Sequence, residues 1–249
     1  MLLIGILTLQ FATLALVVVL YRRIRRKQFD SEDRVVEQLN TVYTQVEALL
    51  ALRGALALND PLPATRGWAA SPDFLVHLVR EARTRQPQVI VECSSGTSTV
   101  VLARMVQANG HGHVYSLEHD ALYAAKTRQA LVSHGLDAFA TVIDAPLRSH
   151  RIGSSTWMWY DTSALPRDID MLVIDGPPAT TQALARYPAV PLLRSTMSAA
   201  CLIVLDDAAR PDEQAAVARW IADDGVELHT GYYAEKGIAV LAPRTVAVG

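Results

Sequence analysis

Apolar and polar positions divide the chain into three stretches of different pattern. Leu2 to Leu20 carries no charged side chain, and Thr8, Gln10 and Thr13 are its only polar ones. A helix of that length spans about 28 Å, close to the hydrocarbon thickness of a bilayer. Five bases (Arg22, Arg23, Arg25, Arg26 and Lys27) follow the run, and none precedes it. A cleaved leader has its bases ahead of the apolar run and a small-residue site behind it. The pattern therefore predicts a retained transmembrane anchor over residues 1–21. The basic collar should hold the body on the cytoplasmic side, making a single-pass membrane protein, and it suits anionic headgroups.

Residues 22–60 are expected to form the collar and an amphipathic helical linker. Val35, Leu39, Val42, Val46 and Leu49 repeat at spacings of 4, 3, 4 and 3. Two heptads are fewer than a coiled coil wants, so two readings stand: a helix packed on the domain or on lipid, and a homodimer contact. Asn59 to Thr65, with Pro61 and Pro63, is the expected connection to a domain over 61–249.

In the body, short apolar runs alternate with helical patterns. The runs are Val89–Val91, Val114–Leu117, Thr141–Ile143, Met171–Ile174 and Cys201–Leu205. Ser71-Pro72 opens a helix before the first run. Ser98–Ala108, Ala121–Ser133, Thr180–Arg194 and Pro211–Ala222 supply others, the third interrupted by Pro188 and Pro191. Strands alternating with helices predict a doubly wound α/β fold with a mostly parallel sheet. Val226–Thr230 and Ile238–Leu241 are too closely spaced for a crossover, so they predict an antiparallel hairpin at the end. A smaller hairpin is expected within Leu147 to Tyr160, where RSHRI and TWMWY flank Gly153-Ser154-Ser155.

Composition narrows the function. Charged residues make up 19% of the chain, and the net charge of −2 hides a basic collar on an acidic body. That distribution argues against a nucleic-acid groove. Two cysteines provide neither a disulfide framework nor a zinc site.

Open parallel sheets bind ligands at the carboxyl ends of their strands, and every run here ends in acid. Glu92 follows the first, with Cys93-Ser94-Ser95-Gly96-Thr97-Ser98-Thr99; Glu118-His119-Asp120 follows the second and Asp144 the third. Asp175-Gly176-Pro177-Pro178 follows the fourth, and Asp206-Asp207 the fifth. Five acids at equivalent places predict one crevice, suited to a cationic ligand with a sugar. A nicotinamide-binding fold also places an acid like Glu118, but its G-x-G-x-x-G fingerprint is missing.

In order, VIVECSSGTST, VYSLEHD, DMLVIDGPP and CLIVLDDA, with the final hairpin, resemble a class I S-adenosylmethionine-dependent methyltransferase from about Trp68 to Pro243. The resemblance implies a seven-stranded sheet of order 3-2-1-4-5-7-6 with its last strand pair antiparallel. It implies a cofactor site with Glu92 near the methionine amino group and Ser94 and Gly96 facing the methionine and ribose. Ser98 and Thr99 would cap the next helix, Glu118 would hold the ribose hydroxyls, His119 would flank the adenine and Asp144 would meet its amino group. Asp175 would orient or deprotonate the acceptor, with His150 a second candidate. Ser94 stands where the family has glycine, which serine replaces readily unless φ is positive.

Catechol-type O-methyltransferases place metal-binding acids as Asp175, Asp206 and Asp207 are placed here, which implies Mg2+; the other reading is a loop cap paired with Arg210. Trp157, Trp159 and Tyr160 are candidates for an acceptor wall or for packing, and Trp68 for closure over the donor or for packing. The function implied is methyl transfer, at oxygen, to a small-molecule, lipid-linked or protein acceptor. A catalytically silent binding module of the same fold is the alternative, favoured by Ser94.

Overall fold

A computed structural model describes residues 2–56, 61–65, 67, 69–232 and 234–244; the side chains of residues 2–5, 7–9, 12 and 230–232 are outside that description. Trp68 and part of the expected connection at Asn59 therefore lie outside the described residues. Two compact units divide the chain, Met1–Val46 and Glu47–Gly249.

Helix α1 runs over Leu2–Leu56. Its arginine-rich middle and the Val35, Leu39, Val42, Val46 and Leu49 positions are exposed. The expected anchor finds no support here: among the described residues, no helix is long and apolar enough to cross a membrane. Eight side chains of the Leu2–Leu20 run fall outside the described ones. Leu52 and Leu56, in the last turns of α1, are buried with Ala70, Phe74 and Leu78 in one core cluster. Arg83 donates to the Ala55 carbonyl at 3.0 Å, so the end of α1 belongs to the second unit.

That second unit contains helices α2 (Pro72–Arg85), α3 (Thr97–Asn109), α4 (Ala121–Ser133), α5 (Ala189–Leu193) and α6 (Pro211–Asp223). Its strands are β1 (Val89–Cys93), β2 (His113–Glu118), β3 (Ala140–Asp144), β4 (Leu147–Ile152), β5 (Ser155–Tyr160), β6 (Ile169–Ile174), β7 (Met197–Leu205), β8 (Val226–Tyr232) and β9 (Ile238–Pro243). Seven of them form one sheet of order β3-β2-β1-β6-β7-β9-β8. β1, β2, β3, β6 and β7 pair in parallel, while β9 pairs antiparallel with both β7 and β8. This is the expected order, with β4–β5 inserted between the third and fourth parallel strands. That insertion is an antiparallel hairpin pairing Leu147 with Tyr160.

Alternation along the strands gives the sheet two apolar faces. Ile90, Val173, Leu202 and Val204 enter a core with α2 and α3. Val91, Leu172, Ile174, Ile203 and Leu205 enter another with Trp159, Trp220 and α5.

One expected helix is largely absent. Residues 179–188 form turns and bends instead of the first part of a Thr180–Arg194 helix, and of that stretch only Ala189–Leu193 is α-helical. Pro188 and Pro191 lack the amide hydrogen that a helix interior uses. Leu184, at φ 53°, breaks the right-handed run before them.

Candidate active site

The parallel register sets the carboxyl ends of β1, β2 and β6 side by side: Cys93 pairs with Leu117 and with Ile174. A hollow of about 510 Å³ opens there, lined by Ser94, Ser95, Glu118, His119, Asp175 and Arg186 among others. That volume lies within the range of small-molecule sites. A second hollow of about 360 Å³ shares Ser94, Ser95, Tyr123 and Asp175 with it and adds Gly96 and Ser98.

Glu118 is buried but lines the first hollow. Its Oε2 accepts from Ser95 Oγ at 2.9 Å and its Oε1 from the Asp120 amide at 3.0 Å. A carboxylate has about four acceptor positions, so two remain for a diol. His119 lines the same hollow, with Nδ1 3.3 Å from Glu118 Oε1 and its ring edge-on to Tyr160.

Three expected residues are elsewhere. Glu92 is fully buried and lines neither hollow. Its Oε2 accepts from Thr99 Oγ1 and Ser116 Oγ, each at 2.6 Å, which ties β1 to β2 and α3. Burial pushes its carboxyl up from the usual range, against hydroxyls of Ser116, Ser98 and Thr99. Asp144 lines neither hollow; it is exposed and paired with Arg128 at 2.8 Å, because its strand lies at the sheet edge where that arginine is within reach. His150 also stays out of both hollows, its Nε2 being 3.0 Å from the Tyr160 carbonyl across the hairpin.

The α3 end behaves as expected in part. Thr99 Oγ1 accepts from the Gly96 amide at 3.0 Å, closing the first turn. Ser98 is buried and lines the second hollow. Gly96 has φ 153°, and Ser94 has φ 119°, in a region that L side chains avoid. The serine in place of glycine is therefore strained, not neutral. Of the aromatic trio, Tyr160 alone lines the first hollow; Trp159 is buried in the core and Trp157 packs on Tyr187 with ring centroids 4.9 Å apart.

Asp175 stands at the wall between the two hollows. Burial lifts its carboxyl from 3.8 to about 6, opposed by the Arg186 charge and reinforced by Asp207. Carboxyl oxygens of Asp175, Asp206 and Asp207 lie within 4.8 Å of one another, a spacing that a divalent cation could bridge. A guanidinium already bridges two of the three. Arg186 Nη2 is 3.1 Å from Asp175 Oδ1 and 2.8 Å from Asp207 Oδ2, and Arg210 donates to that same Asp207 oxygen at 2.8 Å. Asp206 Oδ2 and Asp207 Oδ1 are buried without a hydrogen-bond partner, but with Arg186 seated on oxygens of Asp175 and Asp207 the triad as it stands does not fit Mg2+.

Arg186 is a site residue that was not among those expected from the sequence. Its signal was a lone arginine in ALARYPAVPLL, a mostly apolar stretch in which a base must find buried partners. Lys236 and Arg210 were also missed as wall residues. Lys236 reaches the hollow because the β8–β9 turn bonds to the loop after β7, Ala209 N donating to the Lys236 carbonyl at 3.0 Å.

Residues 91–208 match a family model described as a methyltransferase domain. No curated protein matches the chain. Among solved structures, the SAH-bound methyltransferase PaMTH1 of Podospora anserina is similar, with 16% identity, TM-score 0.57, and 80% of this chain and 88% of that one covered. An O-methyltransferase of Bacillus cereus in complex with SAH has 16% identity and TM-score 0.53, covering 81% and 91% of the two chains. TomG of Streptomyces achromogenes, an O-methyltransferase of tomaymycin synthesis in complex with SAM, has 16% identity and TM-score 0.52, covering 82% and 96%. The chain thus carries a stretch matching a methyltransferase domain, on the methyltransferase fold.

Proposed function

We propose that the chain is an S-adenosylmethionine-dependent methyltransferase acting on an oxygen acceptor. The observation that carries this reading is that Glu118 and Asp175, from two different strands, line one hollow with the Ser94-Ser95 loop. The domain match over 91–208 and the SAM- or SAH-bound structural neighbours support it.

When bound, the donor supplies a methyl group on a sulfonium, so the acceptor oxygen displaces a neutral thioether. The protein's share is geometry: holding two partners in line contributes about 7–11 kcal/mol toward such a barrier. Glu118 accepts from the ribose diol, and His119 flanks the adenine. Asp175, at the wall shared by both hollows, orients the acceptor hydroxyl and receives its proton. Glu92 acts from beneath by fixing Thr99 and thereby the Gly96 turn.

One observation favours the silent alternative: Ser94 at φ 119° places a strained side chain in the loop where the family has glycine. Calorimetric titration of the full chain with S-adenosylmethionine and with NAD, followed by incubation of cell extract and membranes with a labelled methyl donor, separates the readings. Donor binding with a labelled product supports the enzyme. Binding without any labelled product supports the silent module. Binding of NAD alone rejects both.

Membrane attachment through Leu2–Leu20 and the collar is a separate part of this proposal, resting on the sequence pattern alone. Fractionation tests it: recovery with membranes after a high-salt and carbonate wash supports the anchor, and recovery in the supernatant rejects it.

A further inference from the structure

Arg186 lies against two of the three acids that would have to hold a divalent ion. Its Nη2 faces Asp175 Oδ1 and Asp207 Oδ2, and its Nη1 donates to the Asp206 carbonyl at 2.9 Å. Nε lies 3.6 Å from Glu213 Oε1 on α6. The arginine is only 6% exposed, yet it lines the hollow beside Asp175. Arg210 Nη1 adds a second contact to Asp207 Oδ2, and Lys236 Nζ lies 3.8 Å from Asp207 Oδ1. Three cations therefore meet the carboxyl groups of Asp175, Asp207 and Glu213, while Arg186 reaches Asp206 through its main-chain carbonyl.

We propose that Arg186 is a built-in cation that takes the place of a metal in this triad, closing it to divalent ions and holding Asp175 in position at the hollow. A planar guanidinium suits this task, since it stays charged and engages several oxygens in fixed directions. A divalent ion entering the triad would have to expel it and strand a buried charge without its partners. Unlike a metal, the guanidinium offers no open coordination place to an acceptor oxygen; it acts through Asp175. Arg186 is in this sense a positioning residue.

The acceptor-side consequence rests on the methyltransferase reading, whereas ion exclusion does not, and the experiment separates them. Mn2+ is titrated into the full-length protein and followed by the electron paramagnetic resonance of the free ion, with S-adenosylmethionine calorimetry alongside. Wild type should leave the Mn2+ signal undiminished at millimolar metal. Arg186→Ala should bind Mn2+ saturably, and adding Asp206→Asn should weaken that binding by about tenfold or more, as the loss of one charged ligand implies. Saturable binding by wild type that disappears in Asp207→Asn overturns the proposal. So does a folded Arg186→Ala protein that ignores the ion. If Arg186→Ala does not fold, Arg186→Gln takes its place and the wild-type titration still decides. Donor binding that fails while Mn2+ stays excluded would sink the methyltransferase reading and leave this inference standing.

Discussion

Ser95 Oγ donates to Glu118 Oε2 at 2.9 Å, tying the loop after β1 to the tip of β2. The same hydroxyl is 3.0 Å from Thr127 Oγ1 on α4, so three elements fix one carboxylate. Two hydrogen bonds from a ribose diol to a charged acceptor contribute about 1.5–3 kcal/mol each. Glu118→Ala should therefore weaken S-adenosylmethionine binding by roughly two to four orders of magnitude, and Ser95→Ala by less than about tenfold. Calorimetry checks both, and wild-type affinity in Glu118→Ala would remove the ribose role.

Asp175 loses its proton near pH 6, burial being the main cause. In the proposed role of taking the acceptor proton, it would work only when ionised. Activity should rise with pH through about 6, level off above, and fall on acidification. The stability contribution runs the other way. Between 3.8 and about 6 the folded state keeps a proton that the unfolded chain has released, so this group's contribution declines as pH rises across that window. Asp175→Asn should cost about 10²–10⁴ in kcat and abolish the limb near pH 6. A pH–rate profile that keeps the limb in the variant would assign it to another group.

Ser94 at φ 119° stores backbone strain, of order 1–3 kcal/mol for such positions. Ser94→Gly should release it, less the extra entropy of glycine in the unfolded chain, for a gain of about 1 kcal/mol. For a chain of this size that raises the melting temperature by about 2–4 °C. Thermal unfolding measures it; a lower melting temperature would mean the serine hydroxyl contributes more than the strain costs.

His77 on α2 is buried, and burial, reinforced by Arg80 and opposed by Glu81, lowers its pKa from 6.5 to about 4. Between those values the unfolded chain binds the proton and the folded one does not. Stability is therefore fully present above about 6.5 and declines as pH falls toward 4, by up to about 1.4 kcal/mol per pH unit. Urea unfolding should show lower stability at pH 5 than at pH 7, and His77→Gln should reduce that difference. An equal pH slope in the variant would place the sensitivity elsewhere.

Much of the sheet was legible before the structure. Apolar runs at Val89, Val114, Thr141, Met171 and Cys201 became five parallel strands, and the seven residues between Thr230 and Ile238 allowed only a hairpin. The helix over Thr180–Arg194 was misread because apolar spacing looked helical there, while two prolines and the φ of Leu184 turned it into loops. Among the acids, Glu118 and Asp175 reached the hollow. Asp144 did not, because a residue on an edge strand is free to pair with whatever cation the neighbouring helix offers.

Local pattern by itself determined the strands, their acidic tips and the antiparallel end, since periodicity and connection length act between residues near in sequence. Tertiary structure alone decided that Glu92 lies beneath the site, that Ser94 takes a positive φ, and that Arg186 stands among Asp175, Asp206 and Asp207. A buried carboxylate needs a proton, hydrogen-bond donors or a cation, and which of these it finds is decided by what folding brings within reach. Arg186 lies 20 residues from Asp206 along the chain, and nothing in the spacing of apolar and polar positions records that encounter.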